Sequence, residues 1–69
     1  MTHFNNSIAA HLNARDCRKQ GRNHEADRYN EMAQTFCRWH VKEVGGTYLG
    51  AYITIKRASL KAHLDKEAV

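Results

Sequence analysis

The stretch Asn23–Val44, NHEADRYNEMAQTFCRWHVKEV, decides how the rest of the chain is read. With residues set at about 100° intervals, Tyr29, Met32, Ala33, Phe36, Cys37, Trp39, His40 and Val44 fall on one broad arc. Asp27, Glu31, Gln34, Arg38 and Lys42 take the opposite arc. This is the pattern of an amphipathic helix, and Glu25 and Asp27 near its start suit the positive end of the helix dipole. The apolar arc spans about 160°, wider than the stripe of about 100° that one neighbour covers. Such a helix contacts two others, or one helix and a second subunit.

Glycines bracket this segment. Gly21 precedes it and the Gly45-Gly46 pair follows it, each where a helix would end. Upstream, a helix is expected over about residues 6–20. Phe4, Ile8 and Leu12 form a short apolar line that continues into the stems of Arg15 and Lys19. Ala10, Ala14 and Cys17 form a second face of small residues on which another helix can approach closely. Downstream, Tyr48–Ile55 has the aromatic and β-branched content of a strand. As a helix, however, the same region aligns Leu49, Tyr52, Ile53, Lys56, Leu60, His63 and Leu64 on one face. A lone strand in so short a chain has no sheet to join. The expected caps are Asn6 or Ser7, Asn23 and Thr47.

The expected fold is therefore an all-α, single three-helix domain over residues 1–69, with helices at about 6–20, 23–44 and 47–67. The first two form an antiparallel hairpin and the third packs across it. A strand over 47–55 followed by a short helix is the fallback.

Composition agrees with few, long helices: proline is absent from the 69 residues, 42% are hydrophobic and 26% charged. A chain of this length buries roughly 60% of its unfolded surface. It needs a staple, a metal, a second subunit or efficient helix packing. Eleven Lys and Arg against seven Asp and Glu give a net charge of +4, which accommodates nucleic acid or an acidic protein surface without demanding either. The opening residues, Met1 to Asn6, lack a charged region followed by an apolar run, so no signal peptide is expected. No apolar stretch is long enough to span a bilayer. The expected location is the cytoplasm, with Cys17 and Cys37 reduced.

The fragment from Lys19 to Ala26, with Ala14, Gly21, Ala26 and Ala33 at matching spacings and Tyr29 at a large-residue position, resembles a single tetratricopeptide-type helical hairpin. The resemblance covers about half the chain. Asn13 and Asn30 stand where that family prefers apolar residues, no proline closes the unit, and only one copy is present. The resemblance implies hairpin geometry and protein–protein recognition. It does not carry over the peptide-binding groove, which needs several stacked repeats.

Residues that could carry chemistry are few. Cys37 and His40, three apart on one helix face, are the metal candidates, with Cys17, His11 and His24 as further donors. Zinc is usually held by two close pairs of ligands and only one exists here, so the pair reads as core and no metal or cofactor is expected. A Cys–His pair also suggests a nucleophile, but no third orienting residue or oxyanion hole accompanies it, and the chain has little room for a cleft. Asp27 and Glu31 read as solvated ion pairs. Enzymatic activity is not expected.

Binding surfaces remain. Met32, Trp39, Tyr48, Tyr52 and Ile55 are more bulky side chains than a monomer of this size can hide, and such residues anchor protein interfaces. The expectation is a small regulatory or adaptor protein that binds another protein through them, with a homodimer as the commonest use of such a surface. Its look is that of an accessory protein of a bacterium, phage or mobile element. The alternative is a nucleic-acid-associated protein that uses Arg15, Arg18, Lys19 and Arg22 with Lys56, Arg57 and Lys61. Acids at the start of the second helix argue against direct base reading there.

Overall fold

A computed structural model describes residues 2–67. Three α-helices follow one another: α1 (Thr2–Lys19), α2 (Asn23–Val44) and α3 (Tyr48–Glu67). The turn after α1 is set by Gly21, whose φ of 77° suits a residue without a side chain. Its N–H bonds the Arg18 carbonyl and the Arg22 N–H bonds the Cys17 carbonyl at 2.8 Å. This pair of bonds satisfies carbonyls that the helix end would otherwise leave open. Between α2 and α3, Gly45 and Gly46 both take positive φ. Thr47 then caps α3, its Oγ1 accepting the Gly50 N–H at 3.1 Å.

Two other expected caps do not form. Asn23 is the first residue of α2, and Arg22 holds the cap position without a side-chain bond. Asn6 and Ser7 lie inside α1, which begins four residues before the expected start at Asn6. The physical reason lies in packing. The Ser7 hydroxyl is buried and donates to the Ala33 carbonyl at 2.7 Å, bridging α1 to α2, where it cannot serve as a cap. Tyr48–Ile55 is helical, and the fallback strand is not seen. The Thr54 hydroxyl donates to the Gly50 carbonyl one turn back, at 3.0 Å, so a residue suited to strands is accommodated within the helix.

α1 and α2 are antiparallel. Phe4 packs on His40, Ser7 meets Ala33, and Ala14 and Cys17 cluster with Ala26 under Tyr29. α3 runs back along both: the Cys37 thiol lies 4.0 Å from the Tyr48 carbonyl, His11 meets Tyr52 edge-on, and Lys19 pairs with Glu67. The α1–α2 interface is the most extensive of the three. The hairpin's most buried residues are small: Ser7, Ala10, Ala14, Cys17, Ala26, Ala33 and Cys37 are all buried, with aromatic pairs such as Phe4–His40 at one end. Small side chains let helix axes come close, at the cost of little apolar area per residue. Ile55 of α3 is the largest fully buried side chain, with Ser59 beside it. Helices of many families approach on alanines, so burial of Ala14, Ala26 and Ala33 is no evidence of kinship with tetratricopeptide proteins. Among the described residues no helix is long and apolar enough to cross a membrane.

Candidate functional site: an outward apolar stripe and a cationic cleft

α3 carries apolar residues on two sides. Ile55 and Ser59 face the hairpin and are buried. Leu49, Ile53, Leu60 and Leu64 are between 42% and 66% exposed. On a helix of 100° per residue these four fall within an arc of about 60° and extend over about 22 Å. The face that sequence periodicity picks out on this helix is thus largely its outer face. Lys56 and Arg57 sit midway along the stripe, with Lys61 one turn further on.

The five residues expected to form one docking surface are divided. Ile55 is fully buried and is withdrawn from it, because it is the one large side chain of α3 that fills the space against the small-residue hairpin. Tyr52 is half-buried, stacked on Tyr48 and edge-on to His11. Tyr48 lies under Arg38, with its ring centroid 5.9 Å from the guanidinium carbon, and burial pushes its phenol pKa up. Met32 and Trp39 are each 47% exposed. They line a shallow groove with Phe36, where the ring of Trp39 meets His3 and Phe36 edge-on. Trp39 contacts α1 while Tyr48 lies by Cys37 and Arg38, so these are separate patches on different sides of α2.

The basic residues are likewise redistributed. Arg18 pairs with Asp27 at 3.0 Å, Lys19 with Glu67, and Arg22 with Glu25. The bonds from Lys19 and Arg22 hold the Glu67 and Glu25 carboxyls below the usual range. Arg57 and Lys61 lie exposed on α3. Arg15, Arg18 and Lys19 of α1 meet Lys56 of α3 across an open cleft of about 430 Å³, which Asn30 of α2 and His11 of α1 also line. Sequence reading links the first three by proximity in the chain. Lys56 joins them only through the fold.

His11, read from the sequence only as a further metal donor, lies instead in this cleft. It is 6% exposed, and neither ring nitrogen finds a hydrogen-bond partner. A polar side chain enclosed without a partner is uncommon. Burial, first, and then the Lys56 cation push its pKa below 6.5; the Asn30 side chain acts the other way, and Arg15 adds the smallest lowering. No sequence signal marks it: it is a lone histidine whose neighbours in space come from all three helices.

The metal candidates are held apart by packing. Cys37 is fully buried, its thiol pushed up in pKa by burial, and it faces the Tyr48 carbonyl. His40 faces Phe4. Among the described residues no three His, Cys, Asp or Glu side chains gather as metal ligands would. Cys17 and Cys37 are free thiols. Comparisons with protein-family models, curated proteins and solved structures find nothing that matches this chain.

Proposed function

We propose that this chain is a small regulatory or adaptor protein without catalytic chemistry of its own, which docks a helix of another protein along the outer face of α3. The single observation that supports this reading is the stripe of Leu49, Ile53, Leu60 and Leu64, left exposed on a helix that buries its other side. Its width and spacing suit a second helix laid alongside, with side chains interleaving. Lys56, Arg57 and Lys61 on and beside the stripe favour a partner whose apolar helix carries acidic flanks. The Met32–Trp39 groove, on a different side of α2, is a separate contact surface.

One observation favours a second reading, self-association. The apolar positions are spaced symmetrically, so that in an antiparallel pair of α3 helices Leu49 would meet Leu64 of a second copy and Ile53 would meet Leu60. The same pairing brings Arg57 against Lys56, which is why a heterologous acidic partner is preferred. The nucleic-acid reading has less support, because Arg18, Lys19 and Arg22 each already hold a carboxylate.

The test is affinity purification of the full chain from its native cells, beside the Ile53→Glu/Leu60→Glu double variant and Trp39→Ala. A captured protein should be lost with the double variant. A charge at the centre of a desolvated contact costs about 2 kcal/mol or more, roughly thirtyfold in affinity. Capture that survives the double variant unchanged would remove the α3 stripe as the docking surface. Sedimentation of the purified chain distinguishes the second reading: a dimer that dissociates on Leu60→Glu means the stripe binds its own copy.

A further inference from the structure

The cleft between the three helices has its own chemistry and shares with the apolar stripe only Lys56, at the stripe's edge. Four cations, Arg15, Arg18, Lys19 and Lys56, converge on it. Asp27 neutralises Arg18 and Glu67 neutralises Lys19. Arg15 and Lys56 have no acidic partner among the described residues, and both are half-buried. Two uncompensated charges on opposite helices thus flank His11, an enclosed imidazole whose two nitrogens have no partner. Asn30, from α2, adds an amide.

We propose that this cleft binds the phosphate group of a small phosphorylated molecule, held by Arg15 and Lys56, with Asn30 as an amide donor and His11 as a base that takes up a proton from solvent on binding. A phosphate monoester carries about −1.5 to −2 charges near neutral pH, matching the two open cations. Its tetrahedral oxygens can accept from α1, α2 and α3 at once, which a planar carboxylate does less well. A cleft of about 430 Å³ lies in the lower part of the range of about 300–1,000 Å³ for small-molecule sites. An extended polyanion fits poorly, because Asp27 and Glu67 sit on the outer cations and would repel neighbouring phosphates.

Binding is coupled to the proton on His11. In the empty cleft every charge facing the ring is positive, Arg15 from α1 and Lys56 from α3, while Asn30 and Tyr52 are neutral. A dianion placed there reverses the local potential and favours the imidazolium. By linkage, binding takes up a proton and is tighter at lower pH, until His11 is protonated in the empty protein as well.

The experiment is a histidine-selective NMR titration of the full chain with inorganic phosphate, at ionic strength held constant with sodium chloride. Sulfate, a dianion that does not titrate between about pH 5 and 8, serves for the pH series, the range in which histidine changes charge. The expected result is a His11 resonance that moves on saturation and titrates at higher pH with either anion. Lys56→Gln and Arg15→Gln should each weaken binding about tenfold or more, while Lys61→Gln leaves it unchanged. Lys56→Met, which keeps the apolar stem, should match Lys56→Gln if charge is what matters. The proposal is overturned if Lys61→Gln weakens binding as much as Lys56→Gln, or if the His11 resonance ignores both anions. Far tighter binding of a single-stranded oligonucleotide at equal phosphate concentration would overturn it too, because the cleft would then be part of a nucleic-acid surface.

Discussion

The α1–α2 hairpin and α3 dispose of their apolar side chains in opposite ways. The hairpin closes on Ser7, Ala10, Ala14, Cys17, Ala26, Ala33 and Cys37, residues small enough to be buried almost completely. α3 contributes one bulky anchor, Ile55, and leaves Leu49, Ile53, Leu60 and Leu64 outside. Close approach of backbones binds the first pair of helices with little apolar area. The third helix is tied on by a single large side chain, ion pairs such as Lys19–Glu67 and Lys66–Asp16, and edge contacts of Tyr52. Small residues make a contact that tolerates no addition. A lone large residue makes one that tolerates no deletion.

Substitutions can break this contrast. The largest effect is expected from Ile55→Ala, which removes the only bulky side chain that α3 buries completely. It should destabilise the chain by about 2–5 kcal/mol, measured by urea unfolding followed by circular dichroism. α3 should lose amide-exchange protection before the hairpin does. If all three helices lose protection together, the division into a tight hairpin and a lightly held third helix is wrong. Next comes Ala33→Leu, which forces three extra carbons into a site with no free surface. An overpacking cost of about 1–3 kcal/mol is expected in the same assay, and a neutral result would mean that the hairpin is looser than its burial implies.

The dependence on pH follows. His11 has a folded-state pKa below its ordinary 6.5, chiefly because it is buried, so the unfolded chain binds more protons as the solution is acidified. Stability contributed by neutral His11 is fully present above about 6.5 and falls as pH drops below it, down to the lowered folded value. The slope cannot exceed about 1.4 kcal/mol per pH unit for one group. His11→Phe should remove that slope in thermal melts across the same window. An unchanged slope would assign the acid sensitivity to another group.

The smallest effect belongs to the outer stripe. Leu60→Ser should alter monomer stability by no more than about 0.5 kcal/mol, measured at a concentration where the chain is monomeric. A loss comparable with Ile55→Ala would show that the stripe is already covered in the isolated chain.

Much of the architecture could be read without coordinates. The span of α2, Asn23–Val44, agrees at both ends with the reading from apolar periodicity and glycine breaks. Thr47 caps as its side chain suggests. The start of α1 could not be read, because Asn6 and Ser7 carry capping chemistry that the fold turns to other use: Ser7 spends its hydroxyl on a carbonyl 26 residues away. The candidate docking residues were read only in part. Met32 and Trp39 remain outside as expected, whereas Ile55 is sealed in. The cations of the cleft, Arg15, Arg18, Lys19 and Lys56, stand out in the sequence, but their convergence on His11 was not legible, since Lys56 comes to it from 45 residues along the chain.

Local chemistry alone determined that three helices form and where two of the breaks fall, because glycine φ preference, capping and the absence of proline act within a few residues. Which side of α3 faces inward was decided only by the tertiary structure. That helix carries two apolar faces, and periodicity points to the bulkier one, which lies outside. The choice depends on shape, since Ile55 and Ser59 complement a surface of alanines and cysteines that exists only once α1 and α2 have paired.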